Sequence, residues 1–298
     1  MYDIIIVGAG PAGLTAAIYA LRANKKVLIF EAKAYGGQII NATLVENYPG
    51  IESISGIEYA TNLYNQVKKL GAEFKFETVI KVTENKEVIT NKGNYKAKSI
   101  ILATGAENRR LNIEREKDFI GQGVSYCASC DGNFYKDKIV AVVGGGNTAL
   151  EDAIYLSDIV EKVYLIHRRD SFSGEDKYIE KIQQKDNIEL ILNSNIIKLN
   201  GDKLLESIDV KNNGNDTITN IKVKGLFIAV GQQPKNEIFS NVVTLNKMGY
   251  IDSEDGVHTN VEGIYVAGDN RVKLLRQLTT AVSDGSIAAT VAIKEMKK

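Results

Sequence analysis

Four apolar residues in a row, Ile4-Ile5-Ile6-Val7, run directly into Gly8-Ala9-Gly10-Pro11-Ala12-Gly13. An unbroken aliphatic run of that length, closed by glycines, predicts a parallel strand buried on both faces. A helical pattern follows over residues 14–22, and a second apolar run, 26–30, ends at Glu31. The same succession returns later in the chain. Residues 139–143 form an aliphatic run, and Gly144-Gly145-Gly146-Asn147-Thr148-Ala149 supplies the turn. Residues 150–157 then carry the helical pattern, and the run 162–166 ends at His167. One glycine-rich turn of this form carries little weight. Two, each inside a strand–turn–helix–strand frame, carry much.

The other stretches fit around these two copies. Apolar or alternating segments over 95–102 and 221–228 lead into Ala103-Thr104-Gly105 and Ala229-Val230-Gly231, one signature per half. Residues 203–224, broken by Asn212-Asn213-Gly214-Asn215, have the turn chemistry of a β-hairpin. Residues 278–296 predict a long helix with Ala and Ile on its buried stripe. No low-complexity linker separates the halves. The pattern predicts an α/β chain with two Rossmann-like dinucleotide-binding units.

Composition narrows the function classes. The 298 residues suffice for about two domains. With 37 basic and 37 acidic side chains in balance, no bulk positive field points to nucleic acid or an anionic membrane. The chain opens Met1-Tyr2-Asp3 and enters a strand without a signal-peptide pattern, and its first apolar run is far too short to span a bilayer. Two cysteines do not make a disulfide scaffold, so the cytoplasm is the expected location, with no nucleic-acid or membrane partner.

Those two cysteines carry the chemistry. Cys127-Ala128-Ser129-Cys130-Asp131-Gly132 is a C-x-x-C pair just ahead of the second glycine turn. Such a pair closes a small reducible ring, and its thiolate can attack another disulfide. The two turns differ in the residue that ends the following strand. Glu31 would accept ribose hydroxyls and repel a 2′-phosphate, which suits the adenosine of FAD or NAD. His167-Arg168-Arg169 puts cations at the matching place, which suits the 2′-phosphate of NADPH. A flavin joins two-electron hydride chemistry to sulfur, so an order of NADPH, flavin, then disulfide follows from the parts. Asp131 is a turn aspartate or a proton donor and acceptor for the thiols. Zinc is the competing use of C-x-x-C, but His167 and His258 lack the spacing of a Cys₂His₂ site, and no metal is expected.

The residues also match a known family over nearly the full length. To the blocks above are added Gly36-Gly37-Gln38, Glu46-Asn47-Tyr48-Pro49-Gly50, and Val266-Ala267-Gly268-Asp269 followed by Leu275-Arg276-Gln277-Leu278-Thr279. The chain resembles the low-molecular-weight, bacterial-type thioredoxin reductases, FAD- and NADPH-dependent members of the pyridine nucleotide-disulfide oxidoreductases. The resemblance implies three-layer ββα domains, the second inserted into the first. Segments 1–108 and 236–298 would form the FAD domain, and 109–235 the NADPH domain carrying the C-x-x-C.

The residues that would hold FAD are Gly8, Ala9, Gly10, Pro11, Ala12, Gly13, Glu31, Ala32, Gly37, Gln38, Asn47, Val79, Ala103, Thr104, Gly105, Gly268, Asp269, Arg276, Gln277 and Leu278. Those that would hold NADPH are Gly144, Gly146, Asn147, Thr148, Ala149, His167, Arg168 and Arg169. The resemblance makes Cys130 the sulfur nearer the flavin, Cys127 the sulfur that attacks the partner, and Asp131 the acid–base group. It further implies thioredoxin as the protein substrate, a homodimer, and rotation of the inserted domain about residues 106–111 and 231–237.

Two positions depart from the family pattern. Phe172 is followed by Ser173, where an arginine is usual, and Ser283 stands where a glycine is usual. The first removes a cation near the 2′-phosphate and supports the alternative, a flavin disulfide reductase of the same fold fed by NADH or reduced ferredoxin. Lys177 is the residue that would compensate.

Overall fold

The structure, a computed structural model, describes residues 1–42, 44–254 and 256–296. The chain divides into two compact units, Met1–Glu107 with Gln233–Lys298, and Asn108–Gln232.

In the first unit, strand Tyr2–Val7 lies between Val27–Glu31 and Asn94–Leu102, with Glu73–Phe76 and Ile264–Val266 outside them, all parallel. The opening aliphatic run is continuous because both its faces are covered. Ile4 and Ile6 pack with Leu14, Ala288 and Ala289 of the helices Pro11–Arg22 and Leu278–Glu295. Ile5 and Val7 point the other way, onto Phe30, Val88 and Ile100, as the two-residue period of a strand requires. Strand Asn94–Leu102 outruns the parallel sheet. Its first half pairs antiparallel with Glu87–Thr90, which pairs with Val79–Val82, and these cover the second face.

The second unit repeats the plan. Ile139–Gly144 lies between Lys162–Ile166 and Gly225–Ala229, with Ile188–Ile191 and Val124–Ser125 outside, again all parallel. Val140 and Val142 face the helix Asn147–Ser157, while Ala141 and Val143 face an antiparallel sheet of Ser194–Asn200, Ser207–Asn212 and Ile218–Lys222. Both units are therefore three-layered and Rossmann-like, and the second is inserted into the first.

Four expected elements are revised. The run 221–228 is not one strand: Ile221 ends an antiparallel strand and Gly225 begins a parallel one in another sheet. Both pieces are apolar, so hydrophobic pattern alone does not separate them. The hairpin begins at Ser207 and gains an unanticipated third strand, Ser194–Asn200. Both helices after the glycine turns start three residues early, at Pro11 and Asn147. The unanticipated helix Gly56–Lys69 does have a start signal, since the Ser55 hydroxyl accepts the Glu58 N–H at 3.1 Å. The two passages between units, Ala106–Asn108 and Gln232–Pro234, pair as a two-stranded sheet. Among the described residues no helix is long and apolar enough to cross a membrane.

Candidate active site

The two glycine turns are built alike. A side chain at Gly8 would place its Cβ 2.3 Å from the carbonyl oxygen of Ala103, and one at Gly144 would place it 2.3 Å from that of Ala229. Strand and neighbouring strand approach so closely that only glycine fits, which aims each following helix N-terminus at the sheet's carboxyl edge. Neither helix carries an acidic residue in its own first turn, so a pyrophosphate at either N-terminus would meet no carboxylate from the helix itself.

Around the first turn, residues distant in sequence converge. The Glu31 carboxylate accepts the Ala9 N–H at 3.0 Å and the Lys33 N–H at 2.9 Å, one on each oxygen. Each oxygen keeps a lone pair for a hydroxyl donor. The Asn47 amide donates to Gln277 Oε1 at 3.2 Å across 230 positions, and Gln277 opens the last helix. The Arg276 guanidinium stacks over Tyr250, 4.1 Å from the ring centre, and donates to the carbonyls of Asp269 and Arg271. Asp269 Oδ1 is buried without a hydrogen-bond partner among the described residues. Burial pushes its carboxyl up, against the pull of Lys273 and Arg276. An orphaned buried acceptor, a spare lone pair on each Glu31 oxygen and open space beside Gly105 fit a hydroxyl-bearing dinucleotide such as FAD.

The other expected cofactor residues have varied surroundings. Gln38 is exposed and accepts from Asn41, Ala32 is exposed, and the Val79 side chain packs into the core with Val82 and Val88. Gly37 lies against Gly10, since a Cβ on it would come within 3.1 Å of the Gly10 Cα.

The second turn is more occupied by the chain itself. The His167 ring sits over Gly145, where a Cβ would come within 2.0 Å of the imidazole, and it stacks on Phe172. Burial lowers the His167 pKa, and Arg168 and Arg169 add to the effect; its Nε2 is buried without a partner among the described residues. Arg168 and Arg169 are exposed. Ser173 donates its N–H and its hydroxyl to the Gly145 carbonyl, at 2.8 and 3.0 Å. Lys177 is paired with Glu175 at 2.6 Å, and Glu175 in turn accepts from the Asn147 amide at 2.7 Å. These residues fit a pyridine nucleotide.

In the same unit Cys127 and Cys130 form a disulfide, with 5.3 Å between their Cα atoms. Both residues are half-buried, and Ala128–Asp131 is a single helical turn. Burial pushes the Asp131 carboxyl up, and a hydrogen bond from Ser125 opposes that. Among the described residues no group of three or more His, Cys, Asp or Glu could hold a metal ion.

Several residues that organise these sites carry no sequence motif. Asn236 and Asn270, both fully buried, tie Thr104 to the loop after Ile264–Val266. Asp284 gathers Arg271, Lys273 and the Gly268 N–H. Ser125 bonds Asp131. The available signal was polarity in an apolar context: an aspartate on the buried face of the last helix, and a serine closing a buried strand.

Comparison with known proteins gives one consistent result. The model of the pyridine nucleotide-disulphide oxidoreductase family matches residues 2–285. A thioredoxin reductase of Bacillus subtilis (strain 168) is 41% identical over 302 residues, covering 97% of this chain and 93% of that protein. A 34.2 kDa protein in the rubredoxin operon of Clostridium pasteurianum is 40% identical, covering 98% of this chain and 96% of that protein. The crystal structure of a thioredoxin reductase from Streptococcus pyogenes MGAS5005 superposes with a TM-score of 0.95 at 38% identity, covering 100% of this chain and 98% of that one.

Proposed function

The chain belongs to the pyridine nucleotide-disulphide oxidoreductase family, and from that premise we propose that it is a thioredoxin-disulfide reductase passing electrons from NADPH through FAD to the Cys127–Cys130 disulfide and on to thioredoxin. Membership brings with it the use of a flavin and a pyridine nucleotide. The observation that carries the rest is the closed Cys127–Cys130 ring with the Asp131 carboxyl beside it, in a unit that has its own dinucleotide turn.

The FAD residues of the reading are those around the first turn, above all Glu31, Asn47, Asp269, Arg276 and Gln277. Those for NADPH surround the second, above all Gly144, Gly146, Asn147, Arg168 and Arg169. The chemistry a bound FAD supplies is conversion of hydride from NADPH into an electron pair delivered at sulfur. The chain's own residues do the rest. Once reduced, the Cys127 thiolate attacks one sulfur of the partner disulfide; that S–S bond breaks, and its electron pair leaves on the partner's second sulfur. The Cys130 thiolate then attacks Cys127 Sγ, re-forming the ring and releasing the partner's first sulfur as a thiolate. Asp131 takes a proton from the attacking thiol and returns one to the leaving sulfur. The partner gains two electrons and the ring loses two.

The reading includes a cytoplasmic homodimer, which light scattering tests. The version fed by NADH or reduced ferredoxin is not favoured, because its support is Ser173 alone while Arg168 and Arg169 remain. The deciding experiment is anaerobic. NADPH should bleach the flavin band of the purified protein and sustain reduction of thioredoxin. Cys130→Ser should abolish thioredoxin reduction. Full turnover by that variant would overturn the proposal.

A further inference from the structure

The residue that organises the redox ring lies outside the C-x-x-C block. Ser125 ends the short strand Val124–Ser125, which the parallel strand Gly225–Ala229 holds in place, and it is buried. Its hydroxyl lies 2.6 Å from Asp131 Oδ2, an ordinary distance for a hydroxyl donating to a carboxylate. The same oxygen accepts the Cys127 N–H at 3.0 Å. Cys127 closes the loop from its other side, because its carbonyl accepts the Asp131 N–H at 3.1 Å. A hydroxyl has one proton. The shorter contact takes it, so Ser125 donates to the carboxylate and accepts from the backbone of the attacking cysteine. One side chain therefore connects the acid–base group to the sulfur ring.

We propose that Ser125 is a positioning residue for thiol–disulfide exchange, holding the Asp131 carboxylate in place beside the Cys127–Cys130 pair. The inference rests on the disulfide reductase reading, and it adds a residue that this reading does not use. A buried carboxylate without a donor takes up a proton, and a protonated Asp131 accepts nothing from an attacking thiol. The Ser125 hydroxyl opposes the burial that pushes Asp131 up. It transfers no proton of its own in the exchange. The Cys127 proton goes to Asp131 and from there to the departing sulfur, with bonds and electrons balancing as above.

Among the described residues, the titrating and charged groups on the elements packed against this turn include Tyr135, Lys138, Asp152 and Tyr155, whose ring lies beside Gly132. Tyr135 follows one turn later, its phenol pushed up to about 12 by burial and by Asp131. Lys138 lies over the Tyr135 ring and donates to the Phe134 carbonyl. The helix Asn147–Ser157, which packs on this turn, carries Asp152, pushed up to about 7 by burial and by Glu151. None of them donates a hydrogen bond to Asp131 in the structure.

The test follows thiol reactivity, which does not depend on the identity of the electron donor or the protein partner. The FAD-loaded protein is reduced anaerobically with dithiothreitol, freed of it, and alkylated with iodoacetamide from pH 5 to 9, with Cys127 and Cys130 followed by mass spectrometry. Ser125→Ala should move the acidic limb of the Cys127 rate profile up by roughly one to two pH units, the worth of a hydrogen bond to a charged group. Ser125→Thr should restore it. In an Asp131→Asn background Ser125→Ala should leave the limb where Asp131→Asn alone puts it. Asp152→Asn should not move it.

A limb unmoved by Ser125→Ala but moved by Asp131→Asn would overturn the role of Ser125 and leave the acid–base role of Asp131 standing. An equal shift from Ser125→Ala in both backgrounds would reduce the serine to a prop for the ring and overturn the proposal. A limb that Asp131→Asn does not move would remove both assignments. If Ser125→Ala fails to fold, Ser125→Cys, with its weaker donor, takes its place and should give a shift of the same sign.

Discussion

Asp284 and Arg271 form a buried two-point ion pair, with Nε donating to Oδ2 at 2.9 Å and Nη2 donating to Oδ1 at 3.0 Å. Lys273 Nζ and the Gly268 N–H also donate to Oδ2. Burial pushes the Asp284 carboxyl up, but the hydrogen bonds from Arg271 and Lys273 outweigh it and the net displacement is downward. Removing one partner of such a set leaves buried cations without compensation, so Asp284→Ala should cost about 3–5 kcal/mol in urea unfolding at neutral pH. A carboxyl whose folded pKa is depressed stabilises above its unfolded value, near 4, and that stabilisation is lost as pH falls through the folded value. The gap between parent and variant should therefore close in acid. Because Gly268 precedes Asp269, the variant should also release FAD more readily on dilution. An unchanged urea midpoint would show that the cluster contributes nothing net.

Gly8 and Gly144 make the same close approach in the two units, so the same substitution should disable different steps. Alanine at either position meets backbone that cannot yield, at roughly 3 kcal/mol or more of overpacking. Gly8→Ala should yield colourless protein after gel filtration. Gly144→Ala should stay yellow, yet its flavin should resist bleaching by NADPH. Loss of colour in both would mean that the two turns do not serve separate cofactors.

Ser173 offers a hydroxyl and a backbone N–H to Gly145 and no charge to a phosphate, and Lys177 is committed to Glu175. Ser173→Arg should lower the KM for NADPH about tenfold, the value of one hydrogen bond to a charged group, and leave that for NADH unchanged. Lys177→Ala should change the NADPH KM by no more than about twofold, since an exposed ion pair contributes little. A large loss on Lys177→Ala would show that the lysine leaves Glu175 to meet the nucleotide.

The parts legible in the sequence were those encoded locally. Ile4 to Val7 announced a strand covered on both faces because burial on both sides removes the polar alternation, and the glycines announced the turns because no other residue fits against Ala103 or Ala229. Glu31 and His167 were found because a strand fixes their distance from those turns. What could not be read depends on long closures. Nothing near Asn47 specifies Gln277, and nothing near Asn236 specifies Asn270 or Thr104; only the sheet order brings them together. Ile221 and Gly225 fell into one apolar segment because composition does not record a chain leaving one sheet for another. Ser125 escaped because a serine two residues before a cysteine is unremarkable until a single helical turn folds Asp131 back onto it.

Asp269 sets stability against cofactor binding. Its Oδ1 is buried and unpartnered among the described residues, and burial raises its pKa despite nearby Lys273 and Arg276. A carboxyl whose folded pKa lies above its unfolded value binds protons more tightly in the native state. Stability of the cofactor-free chain should therefore fall as pH rises from near 4 through the folded value, and stay at its lower level above that. A bound flavin nucleotide hydroxyl donating to Oδ1 would relieve the cost. Asp269→Asn removes the charge and the pH dependence together, so the cofactor-free variant should be at least as stable as the parent at pH 7 by thermal melt. Its Kd for FAD should nonetheless rise roughly tenfold to a hundredfold, the loss of one hydrogen bond to a charged acceptor. Fluorescence titration of the stripped protein with FAD measures this directly. A variant that is less stable without cofactor yet binds FAD as tightly as the parent would assign Asp269 to the scaffold and not to the flavin.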